Sequence, residues 1–283
     1  PAIPVEESIA VKDPGLLLAV FDGMGGAASG DVASSTAAEL VARQLPKRAA
    51  KEPMAEALLA VVHEANDEVQ RVAEEDPRRY GMGTTVTAGV VCGHDLFVAH
   101  VGDSRLYLLR SDELTQITED QSLSNELVAQ GQLSVEDAAH FEYTNVILQA
   151  LGVTEDLRPF VGRFELRRGD RLLLCSDGLT DMIEREKLVE LMGREALSEV
   201  PRALVAAAKE GGGHDNITAL VAEIGGDGLE PPTDAKVDVE VIQAATSDLS
   251  WRRRARMQQI ALLVGLMLLA VALAALIVAL GTL

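Results

Sequence analysis

Cysteine, aromatic residues and positive charge are all scarce in this 283-residue chain. Its two cysteines, Cys92 and Cys175, lie in apolar runs without a C-x-x-C pair, which argues against a disulfide framework or a zinc site. Lys and Arg number 25 against 44 Asp and Glu, so the net charge is −19. Because a phosphate backbone would be repelled by such a chain, we expect no nucleic-acid partner.

Charge and proline are absent from residues 260–283. At about 1.5 Å per residue, this helix would be roughly 36 Å long, more than the roughly 30 Å of a membrane's hydrocarbon core. A basic collar with an interfacial tryptophan precedes it, formed by Trp251, Arg252–Arg254 and Arg256. Since basic residues stay on the cytoplasmic side, we predict a single-pass protein of the cell membrane whose N-terminal part is cytoplasmic.

Four segments follow from these composition changes. Residues 1–224 carry the alternating strand and helix patterns of a globular domain, and residues 225–250 begin rich in Gly, Pro, Asp and Thr, which is typical of an acidic linker. Residues 251–259 are the basic collar, and residues 260–283 are the transmembrane helix.

Within the globular segment, short apolar runs typical of strands alternate with longer stretches of helical period. One helix is predicted over residues 29–45 and should end at Pro46. Most consecutive strands are joined by short turns, such as residues 93–95 and 102–104, so the strands should be antiparallel. The pattern predicts an α+β layered domain.

Aspartate stands beside a glycine or another turn residue near four predicted strand ends, at Asp22, Asp103, Asp177 and Asp215. A single aspartate there would often only cap backbone amides. Four of them on one rim of a sheet pair would repel one another unless cations lay between them. Oxygen ligands favour Mg²⁺ or Mn²⁺, whereas zinc would draw on His or Cys. The sequence therefore predicts a divalent metal site.

The first of these positions has a competing interpretation. Gly23-x-Gly25-x-x-Ala28 follows a strand and opens a helix, as a dinucleotide-binding fingerprint does. That fingerprint needs a second strand within a unit of about 30 residues. Here the following segment has the pattern of two helices, so dinucleotide binding is disfavoured.

Seven short segments occur in a fixed order along the chain. They are 22–26 (DGMGG), 81–85 (GMGTT), 101–105 (VGDSR), 114–131 (LTQITEDQSLSNELVAQG), 145–152 (NVILQALG), 174–181 (LCSDGLTD) and 214–218 (HDNIT). In this order they resemble the bacterial form of the metal-dependent Ser/Thr protein phosphatases of the 2C type. The resemblance covers about residues 6–224 and implies a four-layer α-β-β-α sandwich, with two antiparallel sheets flanked by helices and metals at one edge.

The resemblance also implies a role for each aspartate. Asp22 would bridge two Mn²⁺ or Mg²⁺ ions, with the Gly23 carbonyl as a further ligand. Asp177 and Asp215 would bind the first ion, so that Asp22, Asp177 and Asp215 are the expected catalytic residues. Asp103, together with Asp177, would hold a third and weaker ion.

Further residues take supporting roles in the family pattern. Glu6 and Glu7 would orient metal-bound water, Asn216 lies beside the last metal aspartate, and the segment from Gln121 to Phe141 corresponds to a flap near the substrate entrance. The implied reaction is in-line attack of activated water on phosphoserine or phosphothreonine in proteins. It would reverse Ser/Thr kinase signalling at the membrane, with phosphorylated proteins, including a protein kinase, as partners.

Two positions depart from the family pattern. Met24 stands where many eukaryotic members have a His that could protonate the leaving group, so this proton must have another source. Ala2 stands where the family usually has an Arg that grips the substrate phosphate. A catalytically silent relative acting as a regulatory docking domain therefore remains an alternative, although Asp22, Asp177 and Asp215 are all present.

Overall fold

The computed structural model describes residues 9–138, 141–144, 146–194, 196–232 and 237–243. The strands in these ranges are β1 (Leu16–Val20), β2 (Gly23–Met24), β3 (Gly83–Thr84), β4 (Val86–Cys92), β5 (Asp95–Val101), β6 (Arg105–Arg110), β7 (Glu113–Gln116), β8 (Phe160–Glu165), β9 (Arg171–Cys175), β10 (Ala219–Glu223) and β11 (Glu240–Gln243). The α-helices are α1 (Ala27–Ala49), α2 (Met54–Glu74), α3 (Leu123–Ala129), α4 (Val135–Ala138), α5 (Asp177–Thr180), α6 (Arg185–Met192) and α7 (Val200–Glu210).

Two sheets form the centre of the domain. One has the strand order β1-β4-β5-β8-β11 and the other has the order β10-β9-β6-β7. Neighbouring strands within both sheets are antiparallel. The short strands β2 and β3 pair separately, and they connect the end of β1 to the start of β4.

Three apolar clusters hold the layers together. Helices α1 and α2 cover the first sheet, where Val61 packs in the same buried cluster as Val86. Helices α6 and α7 cover the second sheet, where Leu204 and Leu173 belong to one cluster. Leu106 lies in the third cluster, between the sheets. The domain is therefore a pair of packed sheets with helices on both outer faces.

Helix α1 is longer than the sequence pattern predicts. It continues through Pro46 to Ala49, whereas the prediction ended it at residue 45. A proline lacks one N–H and therefore removes one helical hydrogen bond. Leu45 is almost fully buried, at 3% exposure, so tertiary packing of the last turn outweighs this local preference.

The connection at residues 102–104 differs from the expected hairpin turn. Strand β5 pairs with β4 and β8 in the first sheet, while β6 pairs with β7 and β9 in the second. The connection therefore carries the chain from one sheet to the other. Gly102 has φ +107°, and a Cβ there would lie 2.7 Å from Thr85 Cγ2, so this crossing requires glycine. Asp103 is thereby placed at the edge where the two sheets meet.

Strand β11 is an element that the sequence analysis did not predict, within the range 225–250 that it interprets as a linker. It pairs with β8 in antiparallel register, with Val241 opposite Gly162. Val237 and Val239 pack against the cluster between the sheets. The alternation of Val with acidic residues from 237 to 241 was the available signal, because it has the period of a half-buried strand.

Among the helices that the structure describes, none is both long enough and apolar enough to cross a membrane. The predicted span at 260–283 and the collar at 251–259 lie outside the described residues, as do Ala2, Glu6 and Glu7.

Candidate active site

The main chain of Asp22 is fixed by two threonines. Its N–H donates to Thr85 Oγ1 at 3.0 Å, and its carbonyl accepts from the Thr85 N–H at 2.8 Å and from Thr84 Oγ1 at 2.9 Å. Both threonines are buried. These three hydrogen bonds tie the end of β1 to the segment that leads into β4, so the Asp22 carboxylate projects from a rigid support.

Gly23 lies directly against the beginning of helix α1. A Cβ at Gly23 would collide with the Gly30 backbone, and a Cβ at Gly30 would lie 2.6 Å from the Gly23 carbonyl oxygen. Neither position has room for a side chain. The two glycines thus let the helix approach the loop that carries Asp22 and the Gly23 carbonyl.

Asp177 and Asp215 are brought together by a close contact of their loops. A Cβ at Gly178 would collide with the carbonyl of Asn216 and lie 3.3 Å from the Asp215 Cβ. The Ser176 hydroxyl donates to the same Asn216 carbonyl at 3.1 Å. Asn216 therefore supports the site through its main chain, and its own N–H donates to the Asp215 carboxylate at 2.6 Å.

The carboxylates of Asp22, Asp177 and Asp215 interact electrostatically. Burial raises the pKa of Asp22 to about 7, and the neighbouring charges of Asp177 and then Asp215 act in the same direction. Asp22 also shares a side-chain hydrogen bond with Asp177. The pKa of Asp177 is raised as well, first by burial and also by Asp215. The three residues therefore form one electrostatic cluster.

Asp103 joins this cluster from the sheet crossing. It is only 7% exposed. Burial raises its pKa to about 7, and repulsion from Asp177, Asp120 and Asp22 adds to this effect. The four aspartates that the sequence analysis selected thus lie within electrostatic range at one edge of the sheet pair.

The chemistry of this cluster fits hard divalent cations. In the part of the chain that the structure describes, no three Asp, Glu, His or Cys side chains close around one point as metal ligands would. The four aspartates offer only oxygen donors, which suit Mg²⁺ or Mn²⁺, and a bound ion would turn their repulsion into attraction.

Gln121, the first residue of the predicted flap, is held by two hydrogen bonds. The Gln121 N–H donates to the Gly102 carbonyl at 2.7 Å, and Gln121 Oε1 accepts from the Gly102 N–H at 3.0 Å. Gln121 is therefore tied to the loop that carries Asp103. At the other end, Phe141 packs edge-on against the half-exposed Tyr143, with 5.6 Å between ring centroids.

Sequence reasoning missed an ion pair beside the cluster. Arg105 donates from Nε to both Asp120 carboxylate oxygens at 2.9 Å, and from Nη2 to Oδ2 at 2.6 Å. Arg105 is part of the VGDSR segment, but nothing in the spacing indicated Asp120 as its partner. This pair places a compensated positive charge next to the acidic edge.

His100 is a buried polar residue that the sequence motifs did not indicate. Its Nδ1 lies 2.9 Å from Thr87 Oγ1, and its Nε2 lies 3.1 Å from the Glu119 carbonyl oxygen. Complete burial lowers the pKa of the imidazole to about 4. His100 is therefore a neutral structural residue and not a metal ligand.

We expect His100 to make stability depend on pH. The unfolded chain binds a proton near pH 6.5, whereas the folded chain excludes it until about pH 4. The contribution of His100 to the free energy of unfolding is complete above about pH 6.5 and is lost as pH falls. Between pH 7 and pH 5 the loss should be about 2 kcal/mol. Urea unfolding of the wild type and His100→Gln at both pH values measures the difference. The same acid sensitivity in both proteins would contradict the assignment.

The domain has two packed antiparallel sheets, helices on both outer faces and an aspartate cluster at the edge where strands end. This fold and this site are those of a metal-dependent phosphatase. The sequence profile of protein phosphatase 2C matches residues 6–208. The chain belongs to this family of metal-dependent Ser/Thr protein phosphatases, as the motifs predicted. The identification confirms the predicted enzyme class and disfavours the alternative of a silent docking domain.

Several bacterial relatives are similar over most of the domain. The chain is 38% identical over 216 residues to the serine/threonine phosphatase stp of Listeria innocua, and the match covers 75% of this chain and 86% of the relative. It is 40% identical over 211 residues to the Ser/Thr protein phosphatase PstP of Mycobacterium tuberculosis, covering 74% of this chain and 40% of PstP.

Solved structures agree with this assignment. The crystal structure of M. tuberculosis PstP superposes with a TM-score of 0.71 at 38% identity, covering 77% of this chain and 92% of that one. A structure of the PstP catalytic domain in complex with two manganese ions has a TM-score of 0.66 at 38% identity, with 77% and 91% covered.

Proposed function

We propose that the chain removes phosphate from phosphoserine and phosphothreonine in proteins with two Mn²⁺ or Mg²⁺ ions held by Asp22, Asp177 and Asp215. The observation that carries this proposal is the convergence of the three carboxylates, since Asp22 shares a side-chain hydrogen bond with Asp177 and the loop of Asp177 packs against the Asp215 side chain. Asp22 is repelled by both other residues, and in the family pattern it is the carboxylate that would contact both ions. The Gly23 carbonyl would add a ligand, and Asp103 would hold a weaker third ion.

Each residue of the site then has a definite task. The carboxylates would gather the positive charge, and the threonines behind Asp22 would keep its position constant while substrate enters and leaves. When bound, the ions would supply a water of lowered pKa and offset the charge of the phosphoryl group during in-line displacement. The chain provides no cysteine nucleophile here, since Cys175 is buried and burial raises its thiol pKa to about 12.

Protonation of the leaving group does not come from the residue after Asp22-Gly23. Met24 has a thioether there, which carries no proton to donate. The proton that the serine or threonine oxygen requires would then come from water or from another side chain. This expectation separates the chain from relatives with a histidine at that position.

The test is phosphate release from matched peptides. Peptides carrying phosphoserine, phosphothreonine or phosphotyrosine in one common sequence would be incubated with the chain and Mn²⁺, with and without EDTA. We expect release from the first two peptides only and its loss in EDTA. Turnover that survives EDTA after exhaustive dialysis would contradict the metal assignment, and preferred release from phosphotyrosine would contradict the substrate class.

We also propose that the enzyme works at the cytoplasmic face of the cell membrane, where it reverses phosphorylation by Ser/Thr protein kinases. The apolar run at 260–283 and the basic collar at 251–259 support this location. A net charge of −19 keeps the chain away from nucleic acid. Phosphorylated proteins of the membrane region, including a Ser/Thr kinase itself, would be its substrates.

Protease protection tests the orientation. In intact cells, a protease added outside should leave residues 1–250 uncut, because the arginines of the collar hold their side of the span in the cytoplasm. The same protease should digest these residues after the membrane is permeabilised. Cleavage of the phosphatase domain in intact cells would show the opposite topology, and recovery of the chain in the soluble fraction would exclude the anchor.

A further inference from the structure

A chain of buried hydroxyl groups lies behind the metal site. The hydroxyls of Thr85 and Ser104 are 2.8 Å apart. The Thr87 hydroxyl then donates to the Ser104 carbonyl at 2.8 Å. Thr85, Thr87 and Ser104 are at most 2% exposed. Buried polar groups of this kind are costly unless they are paired, so their pairing fixes the backbone segments that carry them.

Thr85 contacts both loops that supply carboxylates. On one side, its Oγ1 accepts from the Asp22 N–H, and its own N–H donates to the Asp22 carbonyl. On the other side, its Oγ1 pairs with Ser104, which directly follows Asp103. Its methyl group also fills the space beside Gly102, where a Cβ would lie 2.7 Å away. One side chain thus joins the Asp22 loop to the Asp103 loop.

The far side of the Asp103 loop is held independently. Gln121 exchanges two hydrogen bonds with the Gly102 main chain. His100 reaches Glu119, two residues before Gln121, through its Nε2. The loop between β5 and β6 is therefore fixed on both sides, and the Thr85–Ser104 hydroxyl pair connects it to the residue that holds the Asp22 main chain.

We infer that the hydroxyl pair of Thr85 and Ser104 is a positioning element that sets the separation of the Asp22 and Asp103 carboxylates and thereby the affinity for divalent ions. Outer groups that orient metal ligands typically change metal affinity by about 10- to 100-fold when they are removed. The inference rests on the proposed assignment of Asp22 and Asp103 as metal ligands. It adds residues that would never touch an ion or the substrate.

Thr85→Val tests this inference because it keeps the shape of the side chain and removes only the hydroxyl. Thr118→Val is a matched control. Thr118 is also buried, at 1% exposure, and its hydroxyl likewise accepts from a backbone N–H, that of Leu106 at 3.0 Å. Thr118 is bonded to β6 and not to Asp22. Thr85→Ser restores the hydroxyl and should rescue the defect.

Isothermal titration with MnCl₂, together with thermal unfolding with and without Mn²⁺, gives a readout that does not depend on turnover. We expect Thr85→Val to bind Mn²⁺ at least about tenfold more weakly and to show a clearly smaller Mn²⁺-dependent rise in Tm. Thr85→Ser should bind within about threefold of wild type, and Thr118→Val should lower the Tm while keeping wild-type Mn²⁺ affinity.

Three results would overturn the inference. Wild-type Mn²⁺ affinity in Thr85→Val would show that the hydroxyl does not position the ligands. An equal loss of affinity in Thr118→Val would show that general destabilisation is the cause. If the wild-type chain itself binds no Mn²⁺, the metal assignment fails, and the inference fails with it. If the wild type binds Mn²⁺ and Thr85→Val binds it equally well, the proposed function stands and only the positioning role is overturned.

Discussion

Replacing Asp22 by Asn should lower kcat by at least about 10³-fold, the scale expected when a central electrostatic element of an active site is removed. Asp22 is the residue proposed to contact both ions, and the charges of Asp177 and Asp215 both act on it. An amide at this position leaves the ions with too little negative charge. Initial rates at saturating phosphopeptide and Mn²⁺ measure the effect.

Two variants serve as controls for this prediction. Asp31→Asn removes a carboxylate from the exposed surface of α1 and should keep wild-type kcat. Asp103→Asn should lose less activity than Asp22→Asn, because Asp103 is proposed to hold only the weaker third ion. Without metal, Asp22→Asn should unfold at the same or a higher temperature than wild type, since repulsion is relieved. Near-native turnover of Asp22→Asn would contradict the proposed site, and so would its failure to fold.

Replacing Arg110 by Met should destabilise the domain by about 3–5 kcal/mol, the usual cost of leaving a buried charge without its partner. Arg110 donates to the Asp170 carboxylate from Nε at 2.8 Å and from Nη2 at 2.7 Å. The two side chains are 8% and 0% exposed. Nη2 also donates to the Glu165 carbonyl at 2.9 Å, which links the end of β6 to the end of β8. The Tm should fall by roughly 10 °C.

The double variant Arg110→Met/Asp170→Asn distinguishes a lost ion pair from lost packing. It removes both charges, so it should recover part of the stability that the single variant loses. Urea unfolding of wild type, both single variants and the double variant completes the cycle. A loss below about 1 kcal/mol in Arg110→Met would place this pair among the weak surface ion pairs.

Much of the site could be predicted from the sequence, because it depends on local signals. Asp22, Asp103 and Asp177 each lie beside a glycine, Asp215 lies in a turn just before a strand, and the order of these motifs along the chain identified the family. Two of these glycines have a physical reason in the structure. Gly23 and Gly178 have no room for a Cβ, so the same residues that mark the motif also allow the loops to approach one another.

Contacts that join distant segments could not be predicted in this way. The Thr85–Ser104 pair spans 19 positions, and the Arg110–Asp170 pair spans 60. No periodicity reports such pairings, since each depends on how strands are ordered in the two sheets. The connection at residues 102–104 shows the same limit. A short turn looks alike in sequence whether it joins two strands of one sheet or, as here, carries the chain between sheets.

The most direct test of the central claim is to locate the ions. Crystals of the chain grown with Mn²⁺ would be measured at the manganese absorption edge, where anomalous peaks mark each bound ion. We predict two strong peaks that share the Asp22 carboxylate, with Asp177 and Asp215 among the ligands. An active preparation whose crystals show no manganese at these three carboxylates, or whose peaks lie elsewhere on the domain, would contradict the proposed mechanism.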